Sequence, residues 1–212
     1  MAIIASSSGG ADFQLAPTGN HLARCYRIVD MGTQPNAYGT SLRKILISWE
    51  LHGEDDEGNP LSTADGKPLM VSGNYTLSLS EKATLRALLE AWRNKPFTLE
   101  ELAGFDITAL LDKWCMVTIV HGASKLNQKM YANVQTVSPV PQAIKKDGLP
   151  DGINKIASLS LEPEAFDRKL FDSLSDGLKK KIIDSPEYKK IGAGLVAKPA
   201  VDLASLDDDV PF

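Results

Sequence analysis

The chain has 212 residues, of which 43% are hydrophobic and 24% are charged, and its formal net charge is −4. This balance excludes a fibrous or largely unfolded protein and predicts one folded main domain with appendages. No apolar run approaches the roughly 18 residues that a membrane-spanning helix needs, and no basic residue precedes the short apolar start at residues 1–5. We therefore expect a soluble, cytoplasmic protein that has no membrane partner.

Charged residues are distributed unevenly along the chain. The stretch 113–146 holds five lysines and no carboxylate. Because neutralising phosphates requires Lys and Arg, a net acidic chain binds nucleic acid only where its cations cluster, and this stretch allows such a basic surface. The charged residues beyond Pro199 are all acidic and account for the whole net charge: Asp202, Asp207, Asp208 and Asp209.

The first half of the chain has the pattern of strands joined by polar loops. After a flexible lead-in at residues 1–20, near-alternation of apolar and polar residues predicts a strand at 21–30. A turn and a run rich in β-branched residues predict a second strand at 43–51, which completes a hairpin. An acidic loop follows at 53–67, and a third strand is predicted at 69–79.

After Ser80 the hydrophobic period changes from two to about 3.6 residues, which is typical of a helix. Ser80 is the predicted N-cap of a helix at 81–94. Thr98 and Glu101 have the spacing of a capping box, which starts a second short helix. The apolar face of the first helix consists of Leu85, Leu88, Leu89 and Trp92.

Two more strands are predicted after the helices, at 114–121 and 129–137. Three strands, a helix and two strands, in this order, are what an OB fold needs, because its helix plugs the barrel between the third and fourth strands. We therefore predict a mainly β protein with a five-stranded OB-fold barrel over residues 21–138.

The C-terminal third has the pattern of appendages. Prolines and helical periodicity at 164–174 and 176–183 predict a linker and a small helical extension over 139–191. Gly, Ala, Pro and Asp dominate residues 192–212, so we expect a disordered acidic tail there.

The sequence lacks the residue patterns typical of catalysis and metal binding. His21, His52 and His121 are scattered, and no glycine-rich phosphate loop or nucleophile motif is present. We therefore predict a protein that is not an enzyme and that has no metal or cofactor. Cys25 and Cys115 lie in predicted strands, which favours buried, reduced thiols.

The most specific motif lies at the end of the chain and consists of Asp207, Asp208, Asp209, Val210, Pro211 and Phe212. It is similar to the acidic tip of bacterial single-stranded DNA-binding proteins, which ends Asp-Asp-Asp-Ile-Pro-Phe, and differs from that tip only at Val210. Residues 22–34, 75–105 and 131–137 also resemble the OB-fold single-stranded DNA-binding proteins that bacteriophages encode.

This resemblance implies a protein of DNA replication, recombination or repair that coats unpaired DNA. It implies that partner enzymes dock the tip, with Phe212 as the anchor in an apolar pocket rimmed by Lys or Arg. It also suggests that the tail competes with DNA for the protein's own basic groove. A homo-oligomer is compatible with the resemblance, which leans toward a phage origin.

Binding single strands without sequence preference requires aromatic rings for base stacking and cations for the phosphates. Arg24 and Tyr26 share one side of the first strand, and because Arg24 is costly to bury, we expect both to face outward. Tyr131 lies on the polar side of the fifth strand and is a second stacking candidate. The predicted DNA contacts are Arg24, Tyr26, Tyr38, Arg43, Lys44, Trp49, Lys125, Lys129 and Tyr131.

Some of these residues also fit a structural role. Trp49 lies on the same side of its predicted strand as Ile45 and Ile47, which favours core packing over base stacking. Tyr26 and Tyr131 fit barrel packing as well as a stacking platform.

Two other functions fit the sequence less well. An OB module would alternatively hold a protein or RNA ligand, with the acidic tail as a DNA mimic. The carboxylates of residues 54–57 would hold Mg²⁺ in a nuclease, but loop carboxylates without rigid support seldom do so.

Overall fold

The computed structural model describes residues 14–35, 39–123 and 128–196, with the backbone alone for 193–196. The strands are β1 (Gly19–Pro35), β2 (Ser41–His52), β3 (Met70–Thr76), β4 (Trp114–Ala123), β5 (Met130–Ser138) and β6 (Ala157–Leu159). The helices are α1 (Thr84–Arg93), α2 (Leu99–Ala103), α3 (Gln142–Asp147), α4 (Arg168–Asp172), α5 (Asp176–Ile183) and α6 (Pro186–Val196), with a 3-10 helix at Ile107–Leu110.

The strands form one sheet with the order β3-β2-β1-β4-β5, and β6 pairs with β1 outside this path. The pairs β1–β4, β2–β3 and β4–β5 are antiparallel. A mainly β chain with a helix between the third and fourth strands is thus confirmed. The closed five-stranded barrel is wrong, because the sheet has six strands and, in the described part of the chain, its edge strands β3 and β5 form no ladder.

The position of α1 accounts for the open edge. This helix contacts both edge strands, and the Cα atoms of β3 and β5 approach within 8 Å of each other without pairing. An apolar cavity of about 200 Å³ lies among Tyr75 of β3, Leu88 of α1 and Val137 of β5. Side chains of the helix therefore lie in the space that a barrel closes with hydrogen bonds.

The core is formed by the inner face of the sheet and by α1. All four residues predicted for the apolar face of this helix are buried, so that prediction is confirmed: Leu85, Leu88, Leu89 and Trp92. The two cysteines, Cys25 and Cys115, are also buried and free, as predicted. Burial raises the pKa of the Cys25 thiol to about 12 and also raises that of Cys115, which makes both thiols poor nucleophiles at neutral pH.

The start of α1 differs from the prediction. The N-cap is Ala83, which makes no side-chain cap bond, and the predicted cap Ser80 lies before the helix. The Ser80 carbonyl accepts a hydrogen bond from the Ala83 N–H at 2.9 Å, so the chain makes one turn there before the helix begins. The capping box is confirmed, because Thr98 accepts from the N–H of Glu101 and the Glu101 carboxylate accepts from the N–H of Thr98.

The chain divides into two compact units. The first contains the residues up to Val29 together with Lys44–Ser158, and the second contains Asp30–Arg43 together with the residues from Leu159 onward. The sequence placed 30–43 in the predicted barrel, whereas the contacts group this hairpin segment with the C-terminal helices.

The second unit is held by specific contacts between its two segments. Glu187 of α6 accepts hydrogen bonds from the N–H and the hydroxyl of Thr33, at 2.8 and 2.6 Å. Phe171 of α4 stacks on Tyr188 of α6, with the ring centroids 5.1 Å apart. Of the helices predicted in this region, α5 has the expected bounds and α4 is shorter than expected. Helix α6 was not predicted, and it continues to Val196, past the point where order was expected to end.

The described residues contain no helix that is long and apolar enough to cross a membrane.

Candidate nucleic-acid interface

Arg24 and Tyr26 do not face solvent, so the expectation that both point outward is wrong. Their exposed fractions are 6% and 5%. Arg24 donates from Nε to Glu50 at 2.7 Å, from Nη1 to Asp112 at 2.7 Å and from Nη2 to the Asn154 carbonyl at 2.6 Å. An arginine can be buried when its donors are satisfied in this way. The side of the strand on which Arg24 lies therefore does not by itself predict its exposure.

Glu50 is the centre of this buried cluster, and its side chain is fully buried. Residues 152–154, which we call the strap, bind its carboxylate: the N–H groups of Ile153 and Asn154 donate at 3.0 and 2.7 Å, and the Asn154 amide donates at 2.7 Å. Burial by itself raises the pKa of Glu50, but the hydrogen bonds from Arg24, the strap and His52 outweigh it and lower the pKa to about 2. Glu50 is therefore ionised at neutral pH and holds the strap against the sheet.

Gly152 lets the strap approach Arg24 closely. A Cβ atom at this position would lie 1.8 Å from the Arg24 Cζ. We expect Gly152→Ala to lower the free energy of unfolding by about 1–3 kcal/mol, because the strap or Arg24 has to move. Urea denaturation measures this loss. Gly104→Ala is the control, since nothing lies within 4 Å of its Cβ position; equal midpoints for the two variants would contradict the packing described.

Three other predicted DNA contacts make internal contacts. Trp49 is fully buried in the core. Lys44 donates to the Thr76 hydroxyl at 2.6 Å. Arg43, in the second unit, forms an ion pair with Asp30, and the hydrogen bonds that it donates to this carboxylate raise the pKa of Arg43. Arg24 and Trp49 are therefore buried, and Arg43 is held by an ion pair.

Tyr131 lies on the exposed side of the β4–β5 hairpin, as alternation predicted, and Lys129 lies just before β5. Tyr131 is 45% exposed and pairs with Gly122 across the hairpin. Its neighbour on the same face is Asn133, which lies opposite Val120. Lys129, just before β5, is also exposed. The hairpin thus carries a large, half-exposed ring opposite a glycine, and aromatic rings of this kind are what bases stack on.

A row of hydroxyl and amide groups continues this face. The Thr136 hydroxyl donates to the Thr118 hydroxyl at 2.9 Å, and Thr118 donates to the Asn20 amide oxygen at 3.4 Å. The register shifts beside Thr118, so Thr136 lies opposite Thr118 and Val134 opposite Ile119. This bulge brings Thr136 into the row, although strict alternation from Tyr131 would place Thr136 on the opposite face.

We call this set the β4–β5 surface, and it comprises Asn20, Thr118, Val120, Lys129, Tyr131, Asn133 and Thr136. Except for Asn20, its residues come from the carboxylate-free stretch 113–146. Of these residues, only Lys129 and Tyr131 were among the predicted DNA contacts. Thr118 is detectable as a polar residue in the middle of a mostly apolar strand.

Several predicted site residues lie outside the described residues. These are Tyr38, Lys125 and the six residues of the C-terminal tip, Asp207, Asp208, Asp209, Val210, Pro211 and Phe212.

Within residues 14–35, 39–123 and 128–196, no group of three or more His, Cys, Asp or Glu side chains is arranged to hold a metal ion. In the acidic loop, the Asp55 carboxylate accepts hydrogen bonds from the N–H groups of Glu57 and Asn59, at 3.0 and 2.8 Å. This carboxylate therefore shapes the loop itself.

No protein-family model matches the sequence, and a comparison with curated proteins finds no significant match.

Proposed function

We propose that this chain binds single-stranded DNA without sequence preference, in replication, recombination or repair, and that it does so as a binding protein and not as an enzyme. The observation that carries the proposal is the β4–β5 surface. It joins a half-exposed Tyr131 to a row of hydrogen-bonding side chains, in a stretch of chain without carboxylates. A ring stacks on any base, and hydroxyl, amide and ammonium groups contact the sugar-phosphate backbone of any sequence.

We also propose that the sheet is of the OB type. The order of elements supports this, since a β1–β2 hairpin and β3 precede α1, and β4 and β5 follow it. OB barrels are partly open, so an unpaired edge between β3 and β5 is compatible with the assignment. In this proposal the DNA does not contact the buried Arg24, Tyr26 and Trp49.

Fluorescence anisotropy of labelled oligo-dT at several salt concentrations tests the proposal. We expect the logarithm of the affinity to fall linearly with the logarithm of the salt concentration, by about 0.7 for each phosphate contacted. Duplex DNA and RNA of equal length are the competitors, and both should bind more weakly. Affinity that is independent of salt, or tightest for RNA or duplex DNA, would rule the proposal out.

The same samples test the rival nuclease function. Incubating the labelled DNA with Mg²⁺ and the protein should give no cleavage, because the proposed interface holds no metal site. Cleavage that EDTA abolishes would instead support the nuclease.

Recruitment of partner proteins forms a separate part of the proposal and is supported by the sequence of the last six residues. The Phe212 ring and the three aspartates before it suit an apolar pocket rimmed by cations. Deleting residues 210–212 should abolish capture of replication or repair enzymes and leave oligo-dT affinity equal or higher. A marked fall in oligo-dT affinity would contradict the idea that the tail competes with DNA.

A further inference from the structure

The first unit also contains a concave site, and none of the predicted DNA contacts lines it. It is a cavity of about 400 Å³ between the end of α1, the 3-10 helix, the start of β4 and α3. This volume lies within the range of pockets that hold small organic ligands. Its aromatic lining consists of Trp92, Phe105 and Trp114, and its cationic lining consists of Arg93, Lys113 and Lys145.

The aromatic wall is held in place by internal contacts. The Trp92 indole donates from Nε1 to the Trp114 carbonyl at 3.2 Å. The Arg93 guanidinium forms an ion pair with Glu101 and lies over the Phe105 ring, 5.3 Å from its centroid. Arg93 therefore forms part of the aromatic wall, and Glu101 already neutralises its charge.

Lys113 and Lys145 differ from Arg93 in this respect. Both are exposed, and neither ammonium group forms a hydrogen bond or an ion pair within the described part of the chain. No carboxylate lines the cavity. The two ammonium groups suit the phosphate of a nucleotide, and the aromatic wall suits its flat, apolar base.

The cavity and the β4–β5 surface are connected by the same strand. Lys113 directly precedes β4, and Trp114 is its first residue. Thr118 and Val120 of the same strand belong to the β4–β5 surface. At about 3.3 Å per residue, Trp114 and Val120 lie roughly 20 Å apart along the strand. The two sites are therefore about this distance apart along β4.

Resting on the proposed function, we infer that this cavity binds one nucleotide of the single strand, with the base against the aromatic wall and the phosphate between Lys113 and Lys145. The cavity extends the DNA path beyond the β4–β5 surface toward the start of β4.

The test compares oligo-dT binding by the full chain and by two double variants. Lys113→Ala/Lys145→Ala removes both proposed phosphate ligands, whereas Lys82→Ala/Lys169→Ala removes the same charge at exposed lysines outside both sites. Losing two phosphate contacts should lower the salt slope by about 1.4 and the affinity at 0.1 M salt by about 25-fold. The control variant should keep the slope of the unmodified chain. Equal thermal unfolding curves for all three proteins confirm that the fold is intact.

Each other outcome overturns the inference in a distinguishable way. If the unmodified chain fails to bind oligo-dT, the proposed function falls, and the inference falls with it. If the chain binds and both double variants bind equally, only the inference is wrong. A labelled peptide with the sequence of residues 205–212 provides the last arm. If it binds the unmodified chain and not Lys113→Ala/Lys145→Ala, while DNA affinity is unchanged, the cavity is a site for acidic peptides.

Discussion

Replacing Arg24 by alanine is expected to lower the free energy of unfolding by about 3–5 kcal/mol. The reason is the environment of Glu50, whose fully buried carboxylate faces the Arg24 guanidinium at 2.7 Å. Removing the arginine leaves a negative charge in the interior without the guanidinium that faces it. It also removes the partners of Asp112 and of the Asn154 carbonyl. Urea denaturation at neutral pH measures the loss.

An exposed ion pair provides the matched control for Arg24→Ala. Arg168 and Asp172 form a pair on α4, with side chains that are 66% and 57% exposed. Arg168→Ala should cost no more than about 1 kcal/mol, because water solvates the aspartate that remains. If Arg24→Ala were as mild as this control, Glu50 would not be the buried anchor that the structure places there.

Trp49→Ala is expected to be comparably destabilising, with a loss of about 3–5 kcal/mol. The indole is fully buried, and its ring centroid lies 6.5 Å from that of Tyr75 and 6.0 Å from that of Trp92. Truncation removes these aromatic contacts and leaves a cavity that the sheet cannot collapse to fill. Chemical denaturation followed by far-UV circular dichroism measures the effect.

A conservative variant separates the structural role of Trp49 from a role in stacking. Trp49→Phe keeps an aromatic core, so it should fold and bind oligo-dT like the unmodified chain. Leu99→Ala controls for loss of an apolar side chain, because Leu99 is 89% exposed and its truncation should change stability by less than about 0.5 kcal/mol. A folded Trp49→Phe protein with strongly reduced DNA affinity would return Trp49 to the list of DNA contacts.

Local sequence patterns predicted the elements whose residues interact with near neighbours in the chain. The apolar face of α1 and the Thr98–Glu101 capping box follow from spacings of three and four residues, which hold whatever the rest of the chain does. The positions of β4 and β5 follow from alternation in the same way.

Contacts between distant residues were not predictable from these patterns. Arg24 has the parity of an outward residue, but its face is covered by the strap, which lies 130 positions later in the chain. The three-residue strand β6 is too short to show an alternating pattern. The open edge depends on how α1 packs against β3 and β5, which the order of elements does not specify.

The candidate interface was predicted in part. Tyr131 was identified from alternation in β5 and Lys129 from its place beside a hairpin loop, whereas Thr136 enters the row through a bulge that shifts the register beside Thr118. A one-residue shift exchanges the two faces of a strand. Sequence alternation therefore locates the strand, but the register decides which residues lie on its exposed face.

The affinity of Tyr131 variants for oligo-dT tests the central claim most directly, namely that unpaired bases stack on the β4–β5 surface. Tyr131→Ala should weaken binding by about 5- to 150-fold, the value of one stacked base, and Tyr131→Phe should bind like the unmodified chain because the ring is kept. Met130→Ala is the control, since Met130 is 51% exposed on the same strand and has no ring. If Tyr131→Ala binds oligo-dT as tightly as Met130→Ala and the unmodified chain, the claim is contradicted.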